Sequence, residues 1–406
     1  MGHLLGIRIQ RYRTLRNVAL GRDAYDSDKD DLPPLTCLIG PNGSGKSTLL
    51  DAFGFLADCL REDIEAACEK SHRGGFQNLR TQGETGPIEF ELHFREDNRS
   101  RPITYSLAID EREGRPVVAS ELLWQHREGP QHRRPEPFVS LKHGKGRAWT
   151  GQSMKTQEGN SSVDVRLSDK RRLGLATLGQ LKEHPRIVQL RSFMEAWYLS
   201  YFLPDAARTF PTAGAQRHLS RTGDNLANVV QYMERGHPAR FKSVLQKLAQ
   251  RIPGVKQITY SHSADGRLLL AFDEQGYKDP FHAPDMSDGT LKMFAYLLLL
   301  EDPDAFPFIG IEEPENGLYH KLVERLAFEM KEHGAGQGSN LLVTTHSPYF
   351  IDALKPEQVW FMQRNDQGHS EVTRVADFPH IQEMVNEGIP LGSLWHGNHF
   401  QEKVSL

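Results

Sequence analysis

The chain has 406 residues, of which 38% are hydrophobic and 25% charged, with a formal net charge of -4. That size and apolar content suit one large domain carrying an insertion, with a substantial core. They exclude a uniformly basic nucleic-acid binder, and the absence of a run of about 18 apolar residues excludes a bilayer-spanning helix.

The start of the chain, Met1-Gly2-His3-Leu4-Leu5-Gly6, lacks the basic and long apolar regions of a secretory signal. Gly6 also stands where N-terminal lipidation calls for Ser or Thr. Cys37, Cys59 and Cys68 form neither a paired-thiol motif nor a zinc pattern, so a reducing cytoplasm is the expected location.

Short strands are predicted over residues 5–9, 18–20 and 35–39. The last is an apolar run that enters Gly40-Pro41-Asn42-Gly43-Ser44-Gly45-Lys46-Ser47, and an apolar helix follows over 48–59. Strand, glycine loop and helix are the context of a phosphate-binding loop. The glycines let successive amides point inward at phosphates, and the helix adds its positive N-terminal end. In this arrangement Lys46 neutralises the β- and γ-phosphates of ATP, Ser47 ligates Mg²⁺, and Thr48 completes the binding set.

Residues 88–94 and 103–109 alternate apolar and polar, as half-buried antiparallel strands do. Between Arg127 and Arg172 the chain turns basic, and from about Arg127 to Lys170 it has little periodicity, which reads as a long loop. Either a solvated segment or a phosphate-tracking DNA surface fits that composition. A helix is expected from Pro185, and another capped by Asp224. Residues 258–260 and 268–272 read as a hairpin.

Ser287-Asp288-Gly289-Thr290 opens an apolar helix, and Ser287 and Gly289 there suit an anion. Next comes the buried strand 308–311, ending in Glu312-Glu313-Pro314. Adjacent strand residues face opposite ways, so the two acids have different jobs. Glu312 is placed to hold Mg²⁺, and Glu313 to polarise an attacking water. After a helix over about 318–330, strand 341–345 ends at His346, positioned to sense a γ-phosphate, and an edge strand over 358–362 follows.

This order of motifs, with the opening Ile9-Gln10-Arg11-Tyr12-Arg13-Thr14-Leu15, resembles the ABC-type ATPase head. Within that class it is similar to the RecF/SMC-like and OLD-like ATPases, and Gly223-Asp224-Asn225-Leu226-Ala227 and Leu391-Gly392-Ser393-Leu394-Trp395 look like a bacterial subgroup of them. The resemblance implies an α/β fold: a mixed central sheet, an antiparallel β subdomain and a helical insertion. Its divisions are an N-terminal lobe at 1–125, a basic and helical insertion at 126–254, a C-terminal lobe at 255–375 and a tail at 376–406.

The resemblance also implies head-to-head homodimerisation around two ATP molecules. Ser287 and Gly289 of one copy would meet the γ-phosphate held by Lys46 of the other, with Glu315, Asn316 and Gly317 crossing the interface. Three positions depart from the pattern: Glu312 replaces the usual Asp, Asp288 replaces a small residue, and the glutamine loop is either Gln77 or Gln82.

The expected activity is ATP hydrolysis coupled to DNA or to a separate effector, as the ATPase component of a bacterial anti-phage defence system. Alternatives are a RecF-like repair ATPase and a nucleotide-gated scaffold that holds a toxin or nuclease with little turnover. No sustained heptads argue for a long coiled coil. The tail is too short for a nuclease domain, which points to a partner protein.

Overall fold

The computed structural model describes residues 2–23, 30–97, 99–125, 136–150, 162–214 and 216–400. The chain forms two compact units, one of Met1–Trp197, Gly338–Asn340 and Trp360–Arg374, the other of Tyr198–Gln337, Leu341–Val359 and Val375–Leu406. The break at Trp197 falls inside the segment expected as an insertion.

Alternating side chains shape the first unit. In β1 (His3–Tyr12) Ile7 and Ile9 are buried while Arg8 and Gln10 are only partly covered. The same period runs through much of β4 (Ile88–Arg95) and β5 (Ile103–Arg112) and is interrupted in β2 (Leu15–Gly21) and β6 (Arg115–Gln125). With β7 (Glu136–Lys142), β8 (Lys145–Trp149) and β9 (Ser162–Arg166) they form an antiparallel sheet in the order β2-β1-β4-β5-β6-β7-β8-β9.

The wholly buried β3 (Leu35–Ile39) lies in a different sheet, beside β16 (Val359–Arg364) and then β17 (Ser370–Arg374). It leads through the glycine loop into α1 (Lys46–Arg61). Phe55 of α1 meets Tyr12 at 5.6 Å and Phe90 at 5.8 Å between ring centroids, which seats that helix on the antiparallel sheet. Four short helices complete the unit: α2 (Ile64–Glu69), α3 (Phe76–Leu79), α4 (Gly174–Leu178) and α5 (Pro185–Glu195), the last with the expected first-turn proline.

In the second unit β10 (Tyr198–Ser200) runs parallel to β14 (Phe308–Glu312), and β15 (Asn340–Thr344) is the next strand. Helices α6 (Pro204–Ala207), α7 (Leu226–Gly236) and α8 (Pro238–Arg251) precede a small antiparallel sheet of β11 (Val255–His262), β12 (Leu268–Glu274) and β13 (Phe281–His282). Then come α9 (Asp288–Leu300), α10 (His320–Gln337), α11 (Pro348–Ile351), α12 (Pro379–Asn386) and α13 (Leu391–His396).

Three expectations are corrected. The stretch read as one long loop carries β7 to β9. Val139, Leu141 and Ala148 are buried there, and His143 and Gly144, with φ of 51° and 72°, make a tight two-residue hairpin turn. The cap of α7 is Asn225, one residue later than expected, because the Asp224 carboxylate accepts from Ser220 and Thr222 instead. Strand β16 is not an edge, since β17 pairs with it antiparallel. No helix among the described residues is long and apolar enough to cross a membrane.

Candidate functional site

The phosphate loop belongs to the first unit, and its glycines have steric reasons to be there. A Cβ on Gly40 (φ 154°) would lie 2.0 Å from the Met362 carbonyl oxygen of β16, and one on Gly45 (φ 110°) 2.4 Å from the Ser370 hydroxyl. Ser370 also holds the loop from β17, donating to the Ser44 carbonyl at 2.7 Å, with the Thr14 hydroxyl 2.9 Å away. Gly43 (φ 75°) faces open space, so only its backbone angle requires glycine.

Lys46 is 6% exposed, and its ammonium donates to the carbonyls of Gly40 at 2.9 Å and Pro41 at 3.1 Å. Its cation therefore sits inside the curl of the loop. Gly45 is the N-cap of α1 and leaves that helix start without a side-chain cap. The Ser44 hydroxyl is buried and has no hydrogen-bond partner among the described residues.

Behind the loop, α1 presents Asp51 and Asp58 to a buried arginine. Arg73 donates to Asp51 at 3.0 Å, to Asp58 at 2.8 Å and to the Ala67 carbonyl at 3.0 Å, while the Tyr12 hydroxyl donates to Asp51 at 2.6 Å. Burial pushes the Asp51 carboxyl up, but the bonds from Arg73 and Tyr12 outweigh it and hold the group below its usual range.

The carboxylate centre lies in the second unit. Glu312 is the last residue of β14, and Glu313 leaves the strand in the left-handed region with φ of 42°. That is a strained angle for a residue with a Cβ, costing about 1–3 kcal/mol. The Glu313 amide donates to the Thr344 carbonyl at 3.0 Å. Its carboxylate accepts from the Asn316 amide at 2.9 Å and lies 3.4 Å from Nε2 of His346.

His346 is fixed through its backbone at both ends. Its amide donates to Glu315 Oε1 at 2.7 Å, and its carbonyl accepts from the Trp395 indole of α13 at 3.1 Å. Glu315, expected in a loop crossing between copies, turns its carboxylate onto this amide.

Ser287 is the N-cap of α9, its hydroxyl accepting from the Thr290 amide at 3.2 Å. Gly289 lies so close to the turn after β14 that a Cβ there would be 3.1 Å from the Gly317 carbonyl oxygen. Asp288 pairs with Arg208, which also donates to the Met286 carbonyl at 2.8 Å. The acid standing in place of a small residue is thus matched by a cation.

Within each unit the candidate residues come together: 40–48 around the loop, and Ser287, Gly289, Glu312, Glu313 and His346 around the ends of β14 and β15 and the start of α9. Of the two glutamines, Gln77 bonds Glu111 and accepts from Arg80 at 3.0 Å, and Gln82 is exposed in a turn.

Residues 35–352 match the family described as "AAA domain, putative AbiEii toxin, Type IV TA system". The chain belongs to that family. The match opens at β3 and closes after α11, so it contains both groups of candidate residues. No curated protein matches the sequence.

Among solved structures, the chain is similar to "SmcHead bound to the C-winged helix domain of ScpA" at 15% identity and a TM-score of 0.57, over 91% of this chain and 97% of that one. It is also similar to the Smc head domain with an extended coiled coil bound to the C-terminal domain of ScpA, derived from Pyrococcus furiosus. That likeness has 14% identity and a TM-score of 0.54, covering 95% and 100% of the two chains. The fold of this AAA-family chain is therefore that of the SMC head, an ABC-type P-loop ATPase fold. The family's AAA domain implies a nucleotide, and the uncapped start of α1, with a Ser44 hydroxyl that has no hydrogen-bond partner among the described residues, fits a polyphosphate.

Three buried residues escaped the sequence reading: Arg73, Lys292 and Tyr296. Lys292 and Tyr296 follow Asp288 at intervals of four, so one helix face carries all three. That spacing was the available signal.

Proposed function

We propose that this AAA-family chain hydrolyses ATP as a head-to-head homodimer and passes its nucleotide state to a separate effector protein, as the ATPase component of an anti-phage defence system. The carrying observation is Glu313: a carboxylate on a residue of strained backbone angle at a strand end, held by Asn316 on one oxygen and faced by His346 on the other. A general base needs that fixed orientation more than it needs an unusual environment.

ATP supplies the phosphoanhydride bond and Mg²⁺ the charge that steadies its phosphates. Gly40 to Thr48 bind the phosphates, with Lys46 as the neutralising cation and Ser47 and Glu312 as the metal-holding pair. Glu313 takes the proton of the attacking water, and His346 orients Glu313 and meets the γ-phosphate. Ser287 and Gly289 serve the nucleotide bound by the other copy.

The effector reading draws on the family description, which couples the AAA domain to a toxin system, and on the ScpA complexes of the SMC-head structures. The alternatives are a RecF-like repair ATPase and a gated scaffold with little turnover.

The test is a pair of variants. Lys46→Ala should lose ATP binding, whereas Glu313→Gln should keep ATP, lose turnover and accumulate as a dimer in size-exclusion chromatography. Wild-type turnover by Glu313→Gln would end the catalytic assignment.

A second reading, direct DNA binding, is favoured by the exposed Lys142, Lys145, Lys170 and Arg172 near the β7–β8 hairpin. Arg171 is engaged with Asp169 and Glu65, while Arg127, Arg133, Arg134 and Lys155 lie outside the described residues. Changing Lys142, Lys145, Lys170 and Arg172 to Ala should flatten the salt dependence of any DNA binding, by up to about 0.9 in the log–log slope for each phosphate no longer neutralised. An unchanged slope returns this surface to plain solvation.

A further inference from the structure

We infer that Lys292 is a positioning residue for Glu313, its ammonium clamping the backbone turn that aims the Glu313 carboxylate. The inference rests on the reading of Glu313 as the base, given above.

Lysine is rarely buried, because desolvating an ammonium is expensive. Lys292, on the second turn of α9, is 4% exposed. Its Nζ donates to the backbone carbonyl of Asn316 at 2.8 Å and reaches that of Glu313 at 3.4 Å. Those carbonyls bracket the turn that begins with the left-handed Glu313. A strained angle persists only where its surroundings over-determine it. Two carbonyls gathered on one cation supply such a constraint, and a charged donor makes each bond stronger than a neutral one.

The rest of the helix face acts on the same turn. Gly289 allows α9 to approach Gly317 closely, and Gly317 (φ 81°) places its own missing Cβ 3.3 Å from Asp288 Cβ. A Cβ at either glycine would require the helix and the turn to give by a few tenths of an ångström. Asn316 joins the two sides: its carbonyl takes the Lys292 ammonium while its side chain donates to the Glu313 carboxylate. Displacement of the Asn316 backbone therefore moves both the turn and a hydrogen bond to the base. Burial lowers the Lys292 pKa, while the charges of Glu315, Asp288 and Glu313 act to keep the ammonium protonated.

The experiment compares Lys292→Met, Lys292→Arg and Glu313→Gln in the full chain, measuring kcat, KM for ATP, nucleotide affinity with a fluorescent ATP analogue, and melting temperature. Lys292→Met should lower kcat by about 10-fold or more while KM and analogue affinity stay within about two-fold of wild type. Lys292→Arg, which keeps charged donors, should recover a measurable part of kcat. If the methionine variant does not fold, Lys292→Gln, which keeps a neutral donor, is read by the same criteria.

Wild-type kcat in Lys292→Met beside an inactive Glu313→Gln overturns the positioning role and leaves the reading of Glu313 standing. Wild-type turnover by Glu313→Gln removes the reading on which the inference rests. A parallel loss of affinity and kcat, with no recovery by arginine, makes Lys292 a purely structural residue and also overturns it.

Discussion

Glu313 Oε1 and His346 Nε2 lie 3.4 Å apart just beyond the ends of β14 and β15. The imidazole arrives there on a backbone tied by Glu315 and Trp395, so its approach to the carboxylate is built by three separate elements. Under the proposed mechanism, His346→Ala removes one of the two side chains facing the Glu313 carboxylate and leaves Asn316 and the turn held by Lys292 to orient it. It should lower kcat by about 10- to 100-fold with little change in KM, a split that steady-state kinetics would resolve. A raised KM at unchanged kcat would assign His346 to ground-state binding instead.

The loop glycines should separate by severity. Gly40→Ala drives a Cβ to within 2.0 Å of the Met362 carbonyl oxygen, a clash relieved only by moving β16 or the loop. Gly43→Ala meets nothing within 4 Å and carries only the left-handed backbone penalty, about 1–2 kcal/mol. Nucleotide titration should therefore show Gly40→Ala losing more than about 10-fold in affinity, with Gly43→Ala markedly milder. Equal losses would mean that backbone angle, not the clash with Met362, decides the loop.

The sequence announces β3, the phosphate loop and α1 because a wholly apolar run, a glycine cluster and a helical period stand side by side. It announces β14 and Glu313 for a related reason, an apolar run stopped by acids. It hides β7 to β9, because the alternation is short there, Val139 and Leu141 in β7 and Val163 and Val165 in β9, and the β9 valines stay exposed or half-buried. Lys292 is hidden differently. A charged residue in an apolar helix reads as solvent-facing, and periodicity cannot tell that this one points at the Asn316 carbonyl. Asp51, Asp58 and Arg73 look like surface charges one at a time; only the chain's return after α2 brings the arginine onto the two acids.

That return has a measurable cost when broken. Arg73→Met would remove the cation that Asp51 and Asp58 share but leave Lys70 2.7 Å from Asp58 and Arg13 3.6 Å from Asp51, so the loss should fall below the about 3–5 kcal/mol of a buried charge left unpaired. Urea unfolding should show the midpoint falling accordingly. Arg73 holds the Asp51 pKa down, and Lys70 and then Arg73 hold that of Asp58 down, so the Arg73 contribution is present above the unfolded carboxylate range and lost as pH falls through the folded values. The gap between wild type and variant should therefore shrink in acid. A gap independent of pH would show that packing, not charge, is what Arg73 contributes.

The opposite pH dependence is expected at His218. Its Nδ1 lies 2.8 Å from the Asp302 carboxylate, and its ring packs 4.9 Å from that of Phe306, which stacks on Tyr198 of β10. The bond with Asp302 raises the imidazole pKa above its ordinary 6.5, against the opposing effect of burial. A raised folded pKa means that the native state holds the proton more tightly than the unfolded chain. The stabilisation is full below the unfolded value and disappears as pH climbs through the folded one. His218→Gln should thus lower the melting temperature more at about pH 5.5 than at about pH 8.5, since only the acidic condition has the ion pair to lose. Equal shifts at the two pH values would reduce the link between His218 and Asp302 to a neutral hydrogen bond, with ring packing on Phe306 accounting for what stability remains.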